Sequence, residues 1–371
     1  MKVKLTTLTP VHIGNGTTLN KNIDFLQFGD KLGKIDERKI FDLLGEQQLD
    51  AWSAAIIRGD NSFIELLRQK GFKTNDLEAV CSMICNLKSV NNNSTQLKEH
   101  FRSPLKGLTI PGSSIKGAIR TAIFSVLIDD LTSAIKSQDM KNHRGQWSDA
   151  NLEKKIFGEN ANEKSTRFIK VRDAHFENTT SDVFEVKILN ANRHGWRFKE
   201  GQQFLMEAIP ARVSCEFDIV VDTHLLEKNK IAYPKLWPEK KVEFLTGDIA
   251  DLCYLVNGIT EYLISKDIQT LGDENFVDAD NLLDDYQDLL QKCKDAGEKE
   301  MILRLGGQSG YLFTTTQWMG MDNLTQMSDG DFNDLRAHVQ RREYSHMEIW
   351  PKTRKLSSEG QLFGFIKISF E

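Results

Sequence analysis

Apolar positions alternate with polar ones from Lys2 to Leu8, the period of a half-buried strand, and the run ends at Pro10. Val11 to Gly16 follows as a loop with two glycines. Ile23 to Phe28 and Leu32 to Ile35 flank Gly29-Asp-Lys, which predicts a hairpin, and Asp36 is placed to cap a helix starting near Glu37. From Lys39 to Val90 the apolar spacing turns helical: Ile40, Leu43 and Leu44, then Phe63, Leu66 and Leu67, then Leu77, Val80, Cys81, Ile84 and Leu87. A short apolar run then stops at Pro111-Gly112, and Ser113-Ser114 opens an amphipathic helix. Ile115, Ala118, Ile119, Ala122, Ile123, Val126 and Leu127 form its core face.

Beyond a polar segment from Asp130 to about Gln146, a candidate mobile loop, alternation returns at Phe168 to Phe176, Val183 to Leu189, Phe204 to Ile209 and Ser214 to Val221. Val242 to Ile264 and Asp280 to Lys294 have helical spacing. Arg304 to Tyr311 is a glycine loop leading into a β-like run to Trp318, and Phe363 to Phe370 closes the chain as a strand. This order suits an α+β sheet with helices gathered on one face, of the split-βαβ or ferredoxin-like kind. It divides into 1–222, with a helical insertion over about 37–90, and 223–371, with a helical, partly acidic segment over about 243–300.

Composition narrows the function classes. The 371 residues are 40% hydrophobic and 27% charged, ordinary for a soluble globular chain. No stretch approaches the eighteen or so apolar residues of a membrane helix, and Lys2 to Pro10 has no signal-peptide core behind it. Five scattered cysteines argue against a disulfide framework and for a reducing cytoplasm. The net charge of −5 is unevenly spread: Asp267 to Glu300 holds eleven acidic against three basic residues, so the remainder carries +3. Basic surfaces over Lys98 to Arg120 and Arg193 to Lys199 therefore remain available to a polyanion. The acidic segment is expected to face solvent or protein, with Leu282, Leu283, Tyr286, Leu289, Leu290 and Cys293 packed beneath it.

The chemistry-bearing residues cluster at glycines. Free N–H groups at the start of the Ser113-Ser114 helix, with Lys116 and Arg120 one turn apart on one face, form a phosphate site, and Gly117 between them keeps no ligand away. The alternative is an ordinary capped helix with solvated charges. Three loops bear glycine near strands: His12, Gly14, Asn15 and Gly16; Pro111 to Gly117; and Gly306, Gly307, Gln308, Ser309 and Gly310. Such loops let a sugar-phosphate chain approach and can present successive N–H groups to an anion. None has the spacing of a Walker or dinucleotide loop. Arg193, Trp196, Arg197 and Lys199 could stack bases and hold phosphates, or be a solvated hairpin tip. His12 invites an acid–base role and Asp24 a metal or hydroxyl-activating one, but a loop-bonding histidine and a turn aspartate are the commoner readings. Asp173 and His175 read as structural. No serine or thiol nucleophile, cofactor fingerprint or metal set emerges.

Taken together these segments resemble the RAMP superfamily of CRISPR-associated proteins. Thr9-Pro-Val-His-Ile-Gly-Asn-Gly16 is similar to its opening strand and loop, and Ile110-Pro-Gly-Ser-Ser-Ile-Lys-Gly-Ala-Ile-Arg120 to its best-known motif. Ile156-Phe-Gly158 with Val171-Arg-Asp-Ala174 resembles the middle element, and Leu305 to Gly310 the C-terminal glycine loop. The helical insertion, the length and Pro351-Lys-Thr-Arg-Lys355 are similar to the subunit that caps type III-A (Csm) effector filaments. The resemblance implies two RRM-like (ferredoxin-like) domains with large helical insertions, and a cytoplasmic ribonucleoprotein acting in antiviral defence. It implies that the chain holds crRNA, a single-stranded RNA, toward its 3′ end and supports its maturation, with no nuclease chemistry of its own. Its implied partners are other RAMP subunits, the filament backbone subunit above all, with a host trimming nuclease left open. An endoribonuclease that processes precursor crRNA through His12, or cleaves target RNA through Asp24, is the alternative.

Overall fold

The computed structural model describes residues 2–73, 76–88, 94–128, 137–141, 145, 148, 150–192, 195–272, 278–314, 328, 330, 333 and 351–371. At its centre the strand Lys2–Thr7 pairs antiparallel with Ser214–Val221 on one side and with Phe365–Phe370 on the other. Ile169–Val171 and Glu300–Arg304 complete this five-stranded sheet at its two edges. The period-2 pattern explains the register: Val3 stands opposite both Phe217 and Phe370, and Leu5 opposite Cys215 and Ile368, so the apolar positions share one face. That face is covered by the helices Gly112–Leu127 and Ile249–Gly272, in one core with Ile115, Ile119, Ile123 and Val256. In chain order these parts run strand, helix, strand, strand, helix, strand, strand. Their spatial order is fourth-fifth-first-third-second, and without the edge strand Glu300–Arg304 the remaining four, last-first-third-second, have the order of a ferredoxin-like unit. The fold is α+β, as the hydrophobic pattern predicts.

Among the described residues, long insertions build a second sheet of nine strands. Its spine is Asp182–Asn192, flanked by Phe204–Ala208 and Gln96–His100 on one side and by Cys81–Leu87 and the hairpin Lys31–Ile35/Phe25–Phe28 on the other. Gly14–Asn20 forms an edge, and Thr353–Ser357 and Gly195–Phe198 also pair with the spine. Strands from either side of residue 222 thus lie together in both sheets, so the expected units 1–222 and 223–371 are joined by shared pairing.

Asp36 caps the helix Glu37–Leu44, accepting from the backbone N–H groups of Arg38 and Lys39. The helical insertion ends earlier than its spacing predicts: after Leu77–Val80 the chain becomes the strand Cys81–Leu87. Four is a multiple of two as well as near a helical turn, so Cys81 and Cys85 satisfy both periods. Pairing with the Lys31–Ile35 strand and the spine decides for the sheet. The glycine loop after Val11 likewise becomes a strand at Gly14, and the predicted helix Val242 to Ile264 breaks at Gly247 into Glu239–Thr246 and Ile249–Gly272. Most of 130–146 and the run beyond residue 314 that leads to Trp318 lie outside the described residues.

The acidic segment divides in two. Along Leu282–Lys294 the carboxylates of Asp284, Asp285 and Asp288 are outward, over buried Leu282, Tyr286, Leu289 and Cys293. Asp267 is the correction: it is buried, ion-paired with Arg354, and accepts a 2.8 Å hydrogen bond from the Tyr286 hydroxyl. Its place on the inner side of a long helix, opposite an arginine from the strand Thr353–Ser357, turns it inward.

Candidate nucleic-acid interface

The helix Gly112–Leu127 meets the sheet so closely that a Cβ on Gly112 would lie 2.3 Å from the Val171 carbonyl oxygen. Only glycine permits that approach. The Gly112 N–H donates to Asp173 Oδ1 at 2.8 Å, and the Ser114 N–H to the Pro111 carbonyl at 2.9 Å. The positive end of the helix dipole, expected to hold a phosphate, is therefore already faced by a carboxylate of the protein itself. Arg120 also has a protein partner, Glu153, at 3.2 Å. Lys116 has none among the described residues; partial burial and the neighbouring Arg120 charge lower its pKa. Ser113 is exposed, Ser114 half-buried, and a Cβ on Gly117 would meet nothing within 4 Å.

The first and last glycine loops, nearly 300 residues apart, close on each other backbone to backbone. The Gly307 N–H donates to the His12 carbonyl at 3.2 Å, and Gly306, at φ +95°, leaves no room for a Cβ, which would stand 2.4 Å from that same oxygen. Gly14, Asn15, Gly16, Gly307 and Gly310 are exposed. Gln308 and Ser309 are not: both are buried, and the Ser309 hydroxyl donates to the Gly306 carbonyl at 2.9 Å. Gln308 and Ser309, counted among the candidate RNA-binding residues, are thus corrected: the turn folds both side chains in and shows glycine backbone instead. Asn15 is tied locally, donating to Glu99 at 2.7 Å and accepting from the Thr17 N–H. Arg304, which leads into the last loop, and Phe313, which follows it, line one small cavity with Ala118 and Thr121 of the Gly112–Leu127 helix. The helix thus packs beside the residues that flank the last loop.

His12 lies at the seam of the two loops. Its Nδ1 is 2.6 Å from the Glu207 carbonyl oxygen, and burial lowers its pKa. A carbonyl only accepts, so Nδ1 carries the proton and Nε2 keeps its lone pair. His100, in edge contact with it, is held on both sides: Nδ1 accepts the Ile13 N–H at 3.1 Å and Nε2 donates to the Thr109 carbonyl at 3.2 Å. Burial pushes the His100 pKa down to about 3. Beneath them the Glu207 carboxylate is satisfied by Arg102, by Ser181 at 2.6 Å and by the His100 N–H at 3.0 Å.

The second sheet brings up two cations that spacing does not connect. Lys98 lies near enough to His12 and to Lys355 to lower both pKa values, adding to burial in each case. Lys98 also sits over the Phe204 ring, 4.1 Å from its centre. Residues 12, 98 and 355 meet only because Gly14–Asn20 pairs with Gln96–His100, and Thr353–Ser357 returns to the same sheet. Lys98 lies within the basic stretch visible in sequence, but its link to Lys355 has no sequence signature.

The basic-aromatic hairpin differs from its expectation. Trp196 is fully buried, with Arg354 over its ring at 5.8 Å, in a cluster with Tyr286, Leu289 and Leu356. Alternation along Gly195–Phe198 sends Trp196 inward and leaves Arg197 exposed and Lys199 half-buried. Trp196 is core, not a stacking platform. Arg193 lies outside the described residues. Asp24 accepts the Asn20 N–H at 2.7 Å, closing a turn, and His175 bonds the Thr109 hydroxyl at 3.0 Å. Among the described residues no group of His, Cys, Asp and Glu is placed to hold a metal ion, and no helix is long and apolar enough to cross a membrane.

Comparison with known proteins agrees with this architecture. One relative, the CRISPR system protein Csm5 of Methanocaldococcus jannaschii, is 28% identical over 207 residues. The match covers 54% of this chain and 47% of the relative, so the chain spans about half the length of that relative. A chain of a cryo-EM Csm–crRNA–target RNA ternary complex of a type III-A CRISPR-Cas system superposes with a TM-score of 0.74 at 19% identity, covering 100% of both chains. The crystal structure of T. onnurineus Csm5 gives a TM-score of 0.66 at 19% identity, covering 98% of this chain and 99% of that one. The family model of the RAMP superfamily matches residues 4–311, through the opening loop, the Pro111-Gly112 helix and the last glycine loop, and the chain belongs to that superfamily.

Proposed function

We propose that this chain is a non-catalytic RNA-binding subunit of a type III-A CRISPR effector ribonucleoprotein, holding the crRNA toward its 3′ end and capping the assembly in the cytoplasm. The observation that carries the reading is the seam where exposed glycine backbone from both ends of the chain lies beside the cations Lys98 and Lys355. The Lys116 helix packs beside Arg304 and Phe313, which flank the last of these loops. Backbone N–H groups and lysines engage sugar and phosphate without reading bases, which is what a spacer of variable sequence demands. Structural likeness to a chain of a Csm–crRNA complex supports the same reading. The partners that follow are the crRNA and neighbouring RAMP subunits, the filament backbone subunit first. A host trimming nuclease would act at the crRNA end this subunit covers.

Filter binding of crRNAs with unrelated spacers, over a range of salt, tests this. Lys98→Ala/Lys116→Ala should weaken every spacer alike and reduce the salt slope by about one for each phosphate left without its lysine. Unchanged affinity and slope would remove these residues from the interface. Sequencing crRNA 3′ ends from complexes assembled with and without the chain tests capping and maturation.

The nuclease reading asks more of the site. Cleavage by 2′-hydroxyl attack needs a base and an acid, and His100, the ring beside His12, has both nitrogens engaged. Incubation with labelled repeat and target RNA, with and without magnesium, should yield no product that His12→Ala or Asp24→Ala abolishes.

A further inference from the structure

The seam between the glycine loops holds a ring nitrogen that the fold orients but does not use. His12 Nδ1 gives its proton to the Glu207 carbonyl at 2.6 Å, so Nε2 on the opposite side of the ring is an acceptor, and it has no partner among the described residues. Two glycines border that edge. A Cβ on Gly14 would stand 3.3 Å from Nε2, and one on Gly307 would stand 3.6 Å from the adjoining Cδ2. The Nδ1 bond to the Glu207 carbonyl and the edge contact with the His100 ring set the orientation of the imidazole.

We infer that His12 Nε2 accepts a hydrogen bond from a ribose 2′-hydroxyl, making this seam the place where the protein distinguishes RNA from DNA. The inference rests on the RNA-binding reading and specifies its ligand. A bare lone pair repels a phosphate oxygen and needs a donor. A nucleic acid offers donors on its bases and, in RNA alone, on the sugar. Base donors change with sequence; the 2′-hydroxyl is present at every residue. The flanking cation fits the same pose, since Lys98 is near enough to His12 to act on its pKa and would face the adjoining phosphate. Burial keeps the imidazole neutral around pH 7, so the acceptor persists under physiological conditions.

The test uses the full chain and three oligonucleotides of one sequence: RNA, the 2′-deoxy form with uracil retained, and the 2′-O-methyl form, which keeps the oxygen but loses the donor. Fluorescence anisotropy should show wild type binding RNA roughly fivefold more tightly than either analogue, the worth of one neutral hydrogen bond. A scan of single 2′-deoxy substitutions should place most of that loss at one position. His12→Phe keeps ring volume without the acceptor and should lower RNA affinity to the level of the deoxy form, whereas His12→Gln, whose amide oxygen reaches near the Nε2 position, should keep part of the preference. Wild type binding all three equally would overturn the inference while leaving RNA binding intact, and so would a His12→Phe protein, folded by circular dichroism, that still discriminates fully. If wild type binds none of the three, the RNA-binding reading itself fails.

Discussion

Asp173 faces the start of the Gly112–Leu127 helix with a carboxylate 2.8 Å from the Gly112 nitrogen, in the position an incoming phosphate would take. The protein thus caps its own best anion site. Asp173→Asn retains an acceptor but removes the charge that opposes RNA. It should cost a fraction of a kcal/mol in stability, while Asp173→Ala loses the cap and should cost about 1 kcal/mol. Both should raise crRNA affinity about two- to fivefold at low salt, the effect of one charge at a helix terminus. Paired thermal melts and salt-dependent binding check this. A fall in affinity would mean that the carboxylate orders the interface instead of repelling RNA from it.

Two glycines of the same helix should behave oppositely. Gly112→Ala drives a Cβ to 2.3 Å from the Val171 oxygen and must part the helix from the sheet, so it should be strongly destabilising. Gly117→Ala meets nothing within 4 Å, and should stabilise by about 0.5–1 kcal/mol, as alanine does in a helix interior. If RNA passes over Gly117, the more stable protein will bind crRNA more weakly. Urea denaturation and filter binding on one preparation separate the two effects.

The parts legible in the sequence were those governed by local period. Ser214–Val221 and the Lys2–Thr7 strand follow alternation, and Asp36 caps the helix its position predicts. Cys81–Leu87 was not legible, because its spacing fits helix and strand alike and only long-range pairing decides. At the site, the glycines marked the right loops, yet the contents of the seam depended on residues far apart in the chain. Glu207 holds His12 across 195 residues, and Asp173 caps Gly112 across 61. Trp196 and Gln308 looked like contact residues by type, and side-chain direction within one strand and one turn reversed both.

Acid should unsettle the seam before it touches the carboxylates. His100 has a folded-state pKa of about 3 against about 6.5 in an unfolded chain, so below pH 6.5 the unfolded state takes up a proton that the native state refuses. The stability this neutral histidine contributes is fully present above pH 6.5 and declines as pH falls toward 3, by up to about 1.4 kcal/mol per pH unit. His12, also lowered by burial, adds to the slope in the upper part of that window. The charged groups facing the pair are Arg102 and Lys98, which oppose protonation, and Glu207, which favours it on His12. Denaturant midpoints between pH 7.5 and 5 should fall in wild type. They should fall less steeply in His100→Gln, which is less stable at pH 7.5 but has one fewer group to protonate. Equal slopes would assign the acid sensitivity elsewhere.

The acidic stretch should divide by depth. Asp267 is buried against Arg354 and receives the Tyr286 hydroxyl, which itself accepts from Arg304 at 3.3 Å, so one carboxylate pairs with Arg354 directly and is linked to Arg304 through a neutral hydroxyl. Asp267→Asn would leave Arg354 buried without a counter-charge, a change that typically costs about 3–5 kcal/mol. The outward carboxylates are different: burial and the neighbouring Asp288 and Asp284 charges raise the Asp285 pKa, so these groups repel one another. Asp284→Asn/Asp285→Asn/Asp288→Asn should therefore leave stability within about 0.5 kcal/mol per site. Because screening extends over roughly 8 Å at physiological salt, it should leave crRNA affinity unchanged or slightly raised. Association with a basic protein neighbour would weaken in the same variant and become less salt-sensitive. A folded triple variant that loses crRNA affinity would place this face within the RNA path, and the seam could no longer be the whole interface.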